Sequence, residues 1–184
     1  IQHWSWDRIL RSCFLKQADV VLGLYFFEDH FDKGTIKRNF DFYEPLTVHE
    51  SSLSPCTHSI VASAVGDRQK AYELYLQTAR LDLDDYNNEV ADGLHITSMA
   101  GTWLAIIQGF AGMRVKDDKL HFTPQIPDKW NAYAFNIRFR GNQLNVRIEK
   151  NRTVIQNLKG NNIEVYINNQ PVEVPADSQK EIVG

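Results

Sequence analysis

The sequence predicts an α+β protein in which a helical part is followed by a small antiparallel β-domain. Up to about Met113, apolar residues recur at helical spacing between polar loops. After about residue 119, apolar and polar residues alternate, as they do in half-buried strands. This change of period places the domain boundary at Val115–Lys119, and it predicts one domain over residues 1–115 and a second over 119–184.

The first third of the chain predicts one long helix followed by loops. Apolar residues over Trp6–Phe27 fall near helical spacing, although Val20–Phe27 alone would also suit a buried strand. Gly34 and the polar stretch Lys37–Asn39 are typical of a loop. We therefore expect Phe40–Pro55 to be an ordered loop.

Three further helices are indicated by their end signals. Ser59–Val65 is predicted to be helical and to end at Gly66, after which Asp67 can cap a second helix. The predicted buried face of that second helix contains Ala71, Leu74, Tyr75, Thr78 and Ala79. A third helix is predicted over Thr97–Gln108, with Gly109 beyond its end. Its predicted buried face contains Ala100, Trp103, Leu104 and Ile107.

The β-domain is predicted from alternation and from turn residues. Phe135, Ile137 and Phe139 alternate with polar residues, and so do the apolar residues of Leu144–Ile148. Four pairs between the alternating runs contain residues that tolerate a positive φ. They are Gly141-Asn142, Asn151-Arg152, Gly160-Asn161 and Asn168-Asn169. An antiparallel meander or sandwich is therefore expected.

Composition excludes several classes of protein. The 184 residues are 43% hydrophobic with a formal net charge of -3, and their basic residues form no run, so a nucleic-acid binder is not expected. No apolar stretch reaches the roughly 20 residues of a membrane helix, so we expect a soluble, cytoplasmic protein. Cys13 and Cys56 lack paired spacing and are expected to be reduced and buried. Ile1 in place of an initiator Met predicts a chain cut from a longer polypeptide.

Two loops concentrate polar groups beside small residues, at His49–Ser52 and at His95–Ser98. The second opens a predicted helix, whose first N–H groups and positive dipole end favour an anion such as phosphate. An ordinary N-cap with a hydrogen-bonded histidine would give the same pattern, so chemistry alone leaves both readings open.

A metal site and a serine nucleophile are not predicted. Four residues are possible metal ligands, but none of them has zinc-site spacing. These residues are His49, Glu50, Glu89 and His95. No Gly-x-Ser-x-Gly turn presents Ser51 or Ser98 as a nucleophile.

Five segments, in this order and spacing, resemble the last third of glycoside hydrolase family 65, and within it the disaccharide phosphorylases that act on maltose. They are Leu15–Val20, Asn39–Pro45, His49–Pro55, Arg80–Asn88 and Gly93–Gly101. The resemblance covers nearly the whole chain and is more specific in the helical part than in the β-rich tail.

The resemblance implies a larger enzyme with an N-terminal β-sandwich, an (α/α)6 barrel and a C-terminal β-domain. This chain would hold the last barrel helices and the C-terminal domain. Such enzymes invert configuration: a Glu general acid protonates the glycosidic oxygen while inorganic phosphate attacks the anomeric carbon, which gives β-glucose 1-phosphate. The resemblance implies no cofactor beyond phosphate as co-substrate, and it is compatible with a homodimer of the full-length enzyme.

The resemblance also assigns residues. Lys16 and Gln17 match the family's substrate-contacting pair. The residues that match its phosphate pocket are His49, Ser51, Ser52, His95, Thr97 and Ser98. The general acid is expected upstream of Ile1, so the chain alone should show no phosphorolysis. Glu44, Glu50 and Glu89 are expected to make loop-fixing hydrogen bonds instead.

Two other functions remain open at this point. A family 65 hydrolase acting on trehalose or a related glucoside would share the barrel, although the hydroxyl-rich loops favour phosphate over a water-activating carboxylate. A non-catalytic carbohydrate-binding or interaction module would need an exposed aromatic platform, for which Trp130 is the obvious candidate. Maltose is the expected disaccharide, with kojibiose, nigerose and trehalose as alternatives.

Overall fold

A computed structural model describes residues 4–49, 51–85, 88 and 90–183. The chain divides into two compact units, Ile1–Gly109 and Phe110–Gly184. The first unit is helical and the second is built from strands, which confirms the predicted α+β order. The division falls a few residues before the expected boundary, because Arg114–Lys116 pairs as a strand with Lys119–Phe122.

The described part of the first unit contains seven α-helices, three short 3-10 segments and one π-helical segment. The α-helices are α1 (Trp6–Leu10), α2 (Asp19–Phe26), α3 (Lys33–Tyr43), α4 (Ser54–Val65), α5 (Arg68–Ala79), α6 (Leu81–Asp84) and α7 (Ile96–Leu104). The 3-10 segments are Glu28–His30, Glu44–Leu46 and Val90–Asp92, and the π-helical segment is Ala105–Phe110. None of the described helices has the length and apolarity needed to cross a bilayer.

Helix α4 is the centre of the helical unit, and its residues from Ser54 to Ser63 are all buried. Its small polar residues let neighbouring helices come close, and the hydroxyls of these residues donate hydrogen bonds to carbonyls of the neighbouring segments. Ser59 Oγ donates to the carbonyl of Ala71 on α5 at 2.8 Å. Every buried hydroxyl needs such a partner, because an unpaired one costs about 1 to 3 kcal/mol.

The turn between α4 and α5 confirms the predicted end signals. Gly66 ends α4 in the left-handed conformation, with φ of 88°. The Asp67 side chain then accepts a hydrogen bond from the Lys70 N–H at 3.0 Å and caps α5. Helix α4 itself begins at Ser54, five residues before the predicted start.

The single helix predicted over Trp6–Phe27 is wrong, because the chain between α1 and α2 is not helical. There the backbone pairs with another segment: the Leu15 N–H donates to Leu46, and the Val48 N–H donates to Leu15. Leu15 and Thr47 thus form a parallel bridge. Helical spacing in the sequence cannot reveal a backbone partner 31 residues away.

Both cysteines are free, but only one of them is buried. Cys13 lies in the non-helical segment and is exposed, which corrects the expectation that both thiols are buried. Cys56 lies in α4, where burial raises the pKa of its thiol to about 11.

The loop predicted over Lys37–Asn39 and Phe40–Pro55 is wrong in its first part. Residues up to Tyr43 belong to helix α3. The Asp32 side chain accepts from the Thr35 N–H at 2.9 Å and caps the helix. Ile36 and Phe40, four residues apart, form its buried face.

The predicted buried face of this last helical stretch is right only in part. Ile107 is buried and Leu104 is half-buried, but Ala100 and Trp103 are exposed. Ser98 and Gly101 are buried in α7 instead. The two faces of this helix differ in side-chain size. The small residues Ser98 and Gly101 pack inwards because they permit close helix contact, and the large apolar residues Ile96, Met99 and Trp103 stay exposed.

The β unit contains two four-stranded sheets. Its strands are β1 (Arg114–Lys116), β2 (Lys119–Phe122), β3 (Ala132–Phe139), β4 (Asn142–Glu149), β5 (Arg152–Lys159), β6 (Ile163–Ile167), β7 (Gln170–Val174) and β8 (Gln179–Val183). One sheet has the order β1-β2-β6-β7 and the other β3-β4-β5-β8. All pairs are antiparallel except β2 with β6, which is parallel. The predicted meander is therefore present as β3-β4-β5.

Alternation along the strands builds the core of this unit. Val146 on β4 stands opposite Phe135 on β3 and Ile155 on β5, and all three side chains are buried. The hairpin between β6 and β7 turns at Asn168 and Asn169, whose φ angles are 49° and 64°. Two consecutive positive φ angles are typical of the tight turn predicted from this pair.

An ion network on β4 and β5 predicts how the stability of the β unit depends on pH. Hydrogen bonds from Arg152 and Arg147 to Glu149 lower the pKa of this carboxyl from 4.5 to about 2. A lowered pKa in the folded state stabilises the fold above the ordinary pKa, and this stabilisation disappears as pH falls towards 2. We expect Glu149→Gln to be less stable than the unchanged chain at pH 7, with the difference shrinking below pH 4.5.

Urea unfolding midpoints measured between pH 7 and pH 3.5 check this prediction, with Glu173→Gln on β7 as the matched control. A difference that stays constant over this range would contradict it.

Candidate functional site

Helices α4 and α7 run in the same direction and begin at the same end of the helical unit. Cys56 Sγ, in the first turn of α4, donates to the carbonyl of Gly101 at 3.1 Å. Ser63 Oγ, near the end of α4, donates to the carbonyl of Gly109 at 2.9 Å. The acceptor carbonyl moves forward along the chain as the donor moves forward along α4, so the two helices are parallel and the loops before them lie at one end.

Helix α5 returns from α4 towards that same end. Ser98 Oγ, in the first turn of α7, donates to the carbonyl of Thr78 in the last turn of α5 at 3.0 Å. The structure therefore brings the two predicted loops to a common end of the unit, together with the chain that follows α5.

The first loop leads from His49 into α4. His49 has a positive φ of 55°, and Ser51 and Ser52 are half-buried. The Ser54 N–H donates to the Ser51 carbonyl at 3.0 Å, so the loop closes tightly on the helix. Leu53, the N-cap residue, makes no side-chain cap hydrogen bond. Glu50 lies outside the described residues.

The predicted substrate residues stand beside this loop. Lys16 and Gln17 are exposed and directly follow Leu15, whose bridge to Thr47 ties the two segments together. Lys16 Nζ lies 4.1 Å from the centre of the Trp6 ring. Gln17 Nε2 donates to Asp19 Oδ1 at 3.2 Å. The bridge thus connects the expected sugar-contacting pair to the expected phosphate loop through the main chain.

The second loop is held by Asp82, a residue for which the sequence suggested no role. One carboxylate oxygen accepts from the His95 N–H at 3.0 Å, and the other lies 2.6 Å from His95 Nδ1. The hydrogen bond from the His95 ring lowers the pKa of Asp82. The only signal for this residue was its place in the matched segment Arg80–Asn88.

The remaining predicted residues of the second loop differ in exposure. Thr97 is exposed at the start of α7, whereas Ser98 is 2% exposed and its hydroxyl proton is used by Thr78. His95, the N-cap residue, makes no side-chain cap hydrogen bond.

Helices α4 and α7 begin at this common end without side-chain caps, so both direct the positive end of a helix dipole towards it. The N–H groups of Ser54 and Ser98 are already used by the carbonyls of Ser51 and His95. Ser51 and Ser52 are half-buried and Thr97 is exposed, so their hydroxyls are the candidate donors. Hydroxyl donors beside a positive helix end suit an oxyanion such as phosphate.

Of the three glutamates expected to fix the loops, Glu44 lies in the part of the chain that the structure describes. Glu44 Oε1 lies 3.3 Å from Lys70 Nζ and 4.0 Å from His49 Nε2, which links the 3-10 turn, the first loop and α5. Glu89, like Glu50, is outside the described part of the chain. Sequence reasoning missed His58, which is fully buried on α4 with its ring centre 4.5 Å from that of His49.

A helical unit followed by a separate unit of two sheets defines an α+β protein with a C-terminal β-domain. Residues 1–104 match the glycosyl hydrolase family 65 central catalytic domain. Residues 113–174 match the glycosyl hydrolase family 65 C-terminal domain. The chain belongs to glycosyl hydrolase family 65.

The chain is similar in sequence to two named disaccharide phosphorylases. It is 52% identical over 171 residues to a maltose phosphorylase of Bacillus subtilis, which covers 93% of this chain and 23% of that protein. It is 47% identical over 164 residues to an alpha,alpha-trehalose phosphorylase of Thermoanaerobacter brockii, covering 89% of this chain and 21% of that protein.

A solved structure is similar throughout. A putative kojibiose phosphorylase from the human microbiome superposes with a TM-score of 0.92 at 38% identity, over 99% of this chain and 25% of that one. The chain thus spans about a fifth to a quarter of the length of the proteins it matches.

Proposed function

We propose that this chain is part of an inverting disaccharide phosphorylase and that its two loops contribute the phosphate site. The observation that carries the proposal is the common end at which α4 and α7 begin without side-chain caps. In phosphorolysis the nucleophile is an anion, so the site opposite the general acid needs N–H and hydroxyl donors. A hydrolase of this type needs a second carboxylate there to activate water.

The proposed reaction converts maltose and phosphate into β-D-glucose 1-phosphate and glucose. The general acid would be supplied by another part of the polypeptide, and the helices α1–α7 would belong to an (α/α)6 barrel. Phosphate would be the co-substrate, without a further cofactor. We place the full-length enzyme in the cytoplasm, and the family resemblance is compatible with a homodimer. Maltose is preferred because the maltose phosphorylase shares more identity with this chain than the trehalose phosphorylase does.

Within this proposal the predicted residues have different tasks. Ser51, Ser52 and Thr97 would donate hydroxyl hydrogen bonds to phosphate. Ser98 would support the site and not contact phosphate, because its hydroxyl donates to the Thr78 carbonyl and its N–H donates to the His95 carbonyl. The two histidines would hold the loops: His95 is fixed by Asp82, and His49 packs its ring on buried His58. Lys16 and Gln17 would contact the sugar.

A carbohydrate-binding module is less well supported. Its candidate platform, Trp130, packs edge-on against Phe110 at 5.3 Å and against Tyr133 at 5.6 Å between ring centres. The Tyr133 hydroxyl in turn donates to the Gln125 carbonyl. Trp130 therefore belongs to an aromatic cluster of the β unit and does not form a free stacking surface.

Steady-state kinetics of the full-length enzyme test the phosphate site. We expect Ser51→Ala combined with Thr97→Val to raise the KM for phosphate by about tenfold for each hydroxyl, because a hydrogen bond to a charged group contributes about 1.5 kcal/mol. The KM for maltose should stay nearly unchanged. Lys16→Ala should do the reverse and raise the KM for maltose first.

Ser178→Ala, at a half-buried serine of the β unit, is the matched control. An unchanged KM for phosphate in the double variant would show that the two loops do not bind phosphate. Turnover of the disaccharide without phosphate would instead favour a hydrolase.

A further inference from the structure

A group of three possible metal ligands includes His49 of the first loop, and the proposed phosphorolysis gives none of the three a contact with sugar or phosphate. Glu44, His49 and His58 each offer one ligand atom, and these atoms all lie within 4.8 Å of one another. His58 is fully buried, yet neither of its ring nitrogens has a hydrogen-bond partner among the described residues. The same holds for Nε2 of His49. Buried polar atoms without partners are costly, so these nitrogens point to a ligand.

The two imidazoles can each offer a ring nitrogen to one ion. A neutral imidazole has a lone pair on one of its two ring nitrogens, and that nitrogen binds a metal. His49 Nδ1 lies 2.9 Å from Ser54 Oγ. Such an outer hydrogen bond orients a metal-bound histidine and directs its other nitrogen towards the ion.

We propose that Glu44, His49 and His58 bind one divalent transition-metal ion of the zinc class, with water as the fourth ligand. Two imidazole ligands favour zinc over calcium or magnesium, which prefer oxygen ligands. Zinc bonds of about 2.0 to 2.1 Å place tetrahedral ligands roughly 3.3 Å apart, so the ligand atoms would move closer by at most about 1.5 Å on binding. The ion would fasten the loop that carries Ser51 and Ser52 to α4.

Lys70 is the one described cation that opposes this ion. Its Nζ lies 3.3 Å from Glu44 Oε1, and its side chain is 36% exposed, so it can turn towards solvent when a cation takes its place. The repulsion between Lys70 and the ion gives the proposal a distinctive consequence: removing the lysine charge should strengthen metal binding.

Zinc affinity of this chain, measured by competition with a chromophoric chelator, tests the proposal. A Cys13→Ser background removes the exposed thiol as a competing ligand. We expect one zinc ion per chain, binding at least about tenfold weaker in Glu44→Gln and several-fold tighter in Lys70→Met. His121→Gln, at a ring stacked on Tyr166 in the β unit, is the control and should change nothing. Cobalt bound in place of zinc should give the visible bands of four-coordinate cobalt.

His58→Gln should abolish binding, but a fully buried position can also fail to fold. Glu44→Gln and Lys70→Met keep the test decisive, because both side chains are partly exposed. Absence of stoichiometric zinc would overturn the proposal, and so would an affinity that is equal in these two variants and the parent. Zinc binding needs neither phosphate nor disaccharide, so its failure would leave the proposed function untouched.

Discussion

Replacing Gly160 with alanine is expected to destabilise the β unit by about 3 kcal/mol or more. Gly160 has φ of 130°, a region that is essentially reserved for glycine. An added Cβ would overlap Asn142 Oδ1 and would lie 2.8 Å from Asn142 Cα. The side-chain oxygen could move, but Asn142 is buried at the start of β4 and its backbone is held by pairing with Phe139. Urea unfolding followed by circular dichroism measures the loss.

Gly141→Ala is the matched control in the same unit. Gly141 also has a positive φ, of 85°, but no atom lies within 4 Å of its added Cβ. Only the left-handed conformation should then be penalised, by about 1 to 2 kcal/mol. Equal losses for the two variants would show that the close approach to Asn142 does not limit the fold.

The second large effect is expected where α7 crosses α4. A Cβ on Gly101 would lie 3.0 Å from Cys56 Cβ, 3.2 Å from Cys56 Sγ and 3.4 Å from Thr78 Cγ2. Gly101→Val adds two more methyl groups to this contact, and overpacking of this kind costs about 1 to 3 kcal/mol. We expect a loss near the upper end of that range, because two helices would have to separate. The thermal unfolding midpoint of the variant measures it.

Gly23→Ala is the control for the helix propensity of glycine. Gly23 lies within α2, and nothing lies within 4 Å of an added Cβ. Alanine should therefore stabilise the chain by about 0.5 to 1 kcal/mol. If Gly101→Val also raised the midpoint, the close packing of α4 and α7, and with it the common end of the two loops, would be refuted.

Local signals in the sequence predicted local features of the fold well. Gly66 and Asp67 end one helix and cap the next, and Asn168-Asn169 forms a tight turn, because both devices act within a few residues. The helix predicted over Trp6–Phe27 failed because Leu15 pairs with a distant segment. The prediction for α7 failed at Ala100 and Trp103, because Gly101 and Ser98 allow a closer contact with the neighbouring helices.

The sequence likewise predicted the local features of the candidate site but not those that depend on distant contacts. The two loops were identified by resemblance and by their hydroxyl-rich composition. Their common position depends on contacts such as Cys56 with Gly101, 45 residues apart, and no spacing rule predicts them. The roles of Asp82 and His58 likewise follow only from the folded structure, since one supports a loop 13 residues later and the other is buried.

The strand order of the β unit has a consequence for solubility. Among the described strands, β1, β7, β3 and β8 form the outer edges, where unpaired backbone groups could recruit a second chain. Strand β1 is only three residues long, β7 contains Pro171, and β8 carries Lys180 and Glu181. Strand β3 is the longest edge and presents Arg138 outwards. Short length, proline and charge each oppose edge-to-edge aggregation, so the two sheets can end in solvent without polymerising.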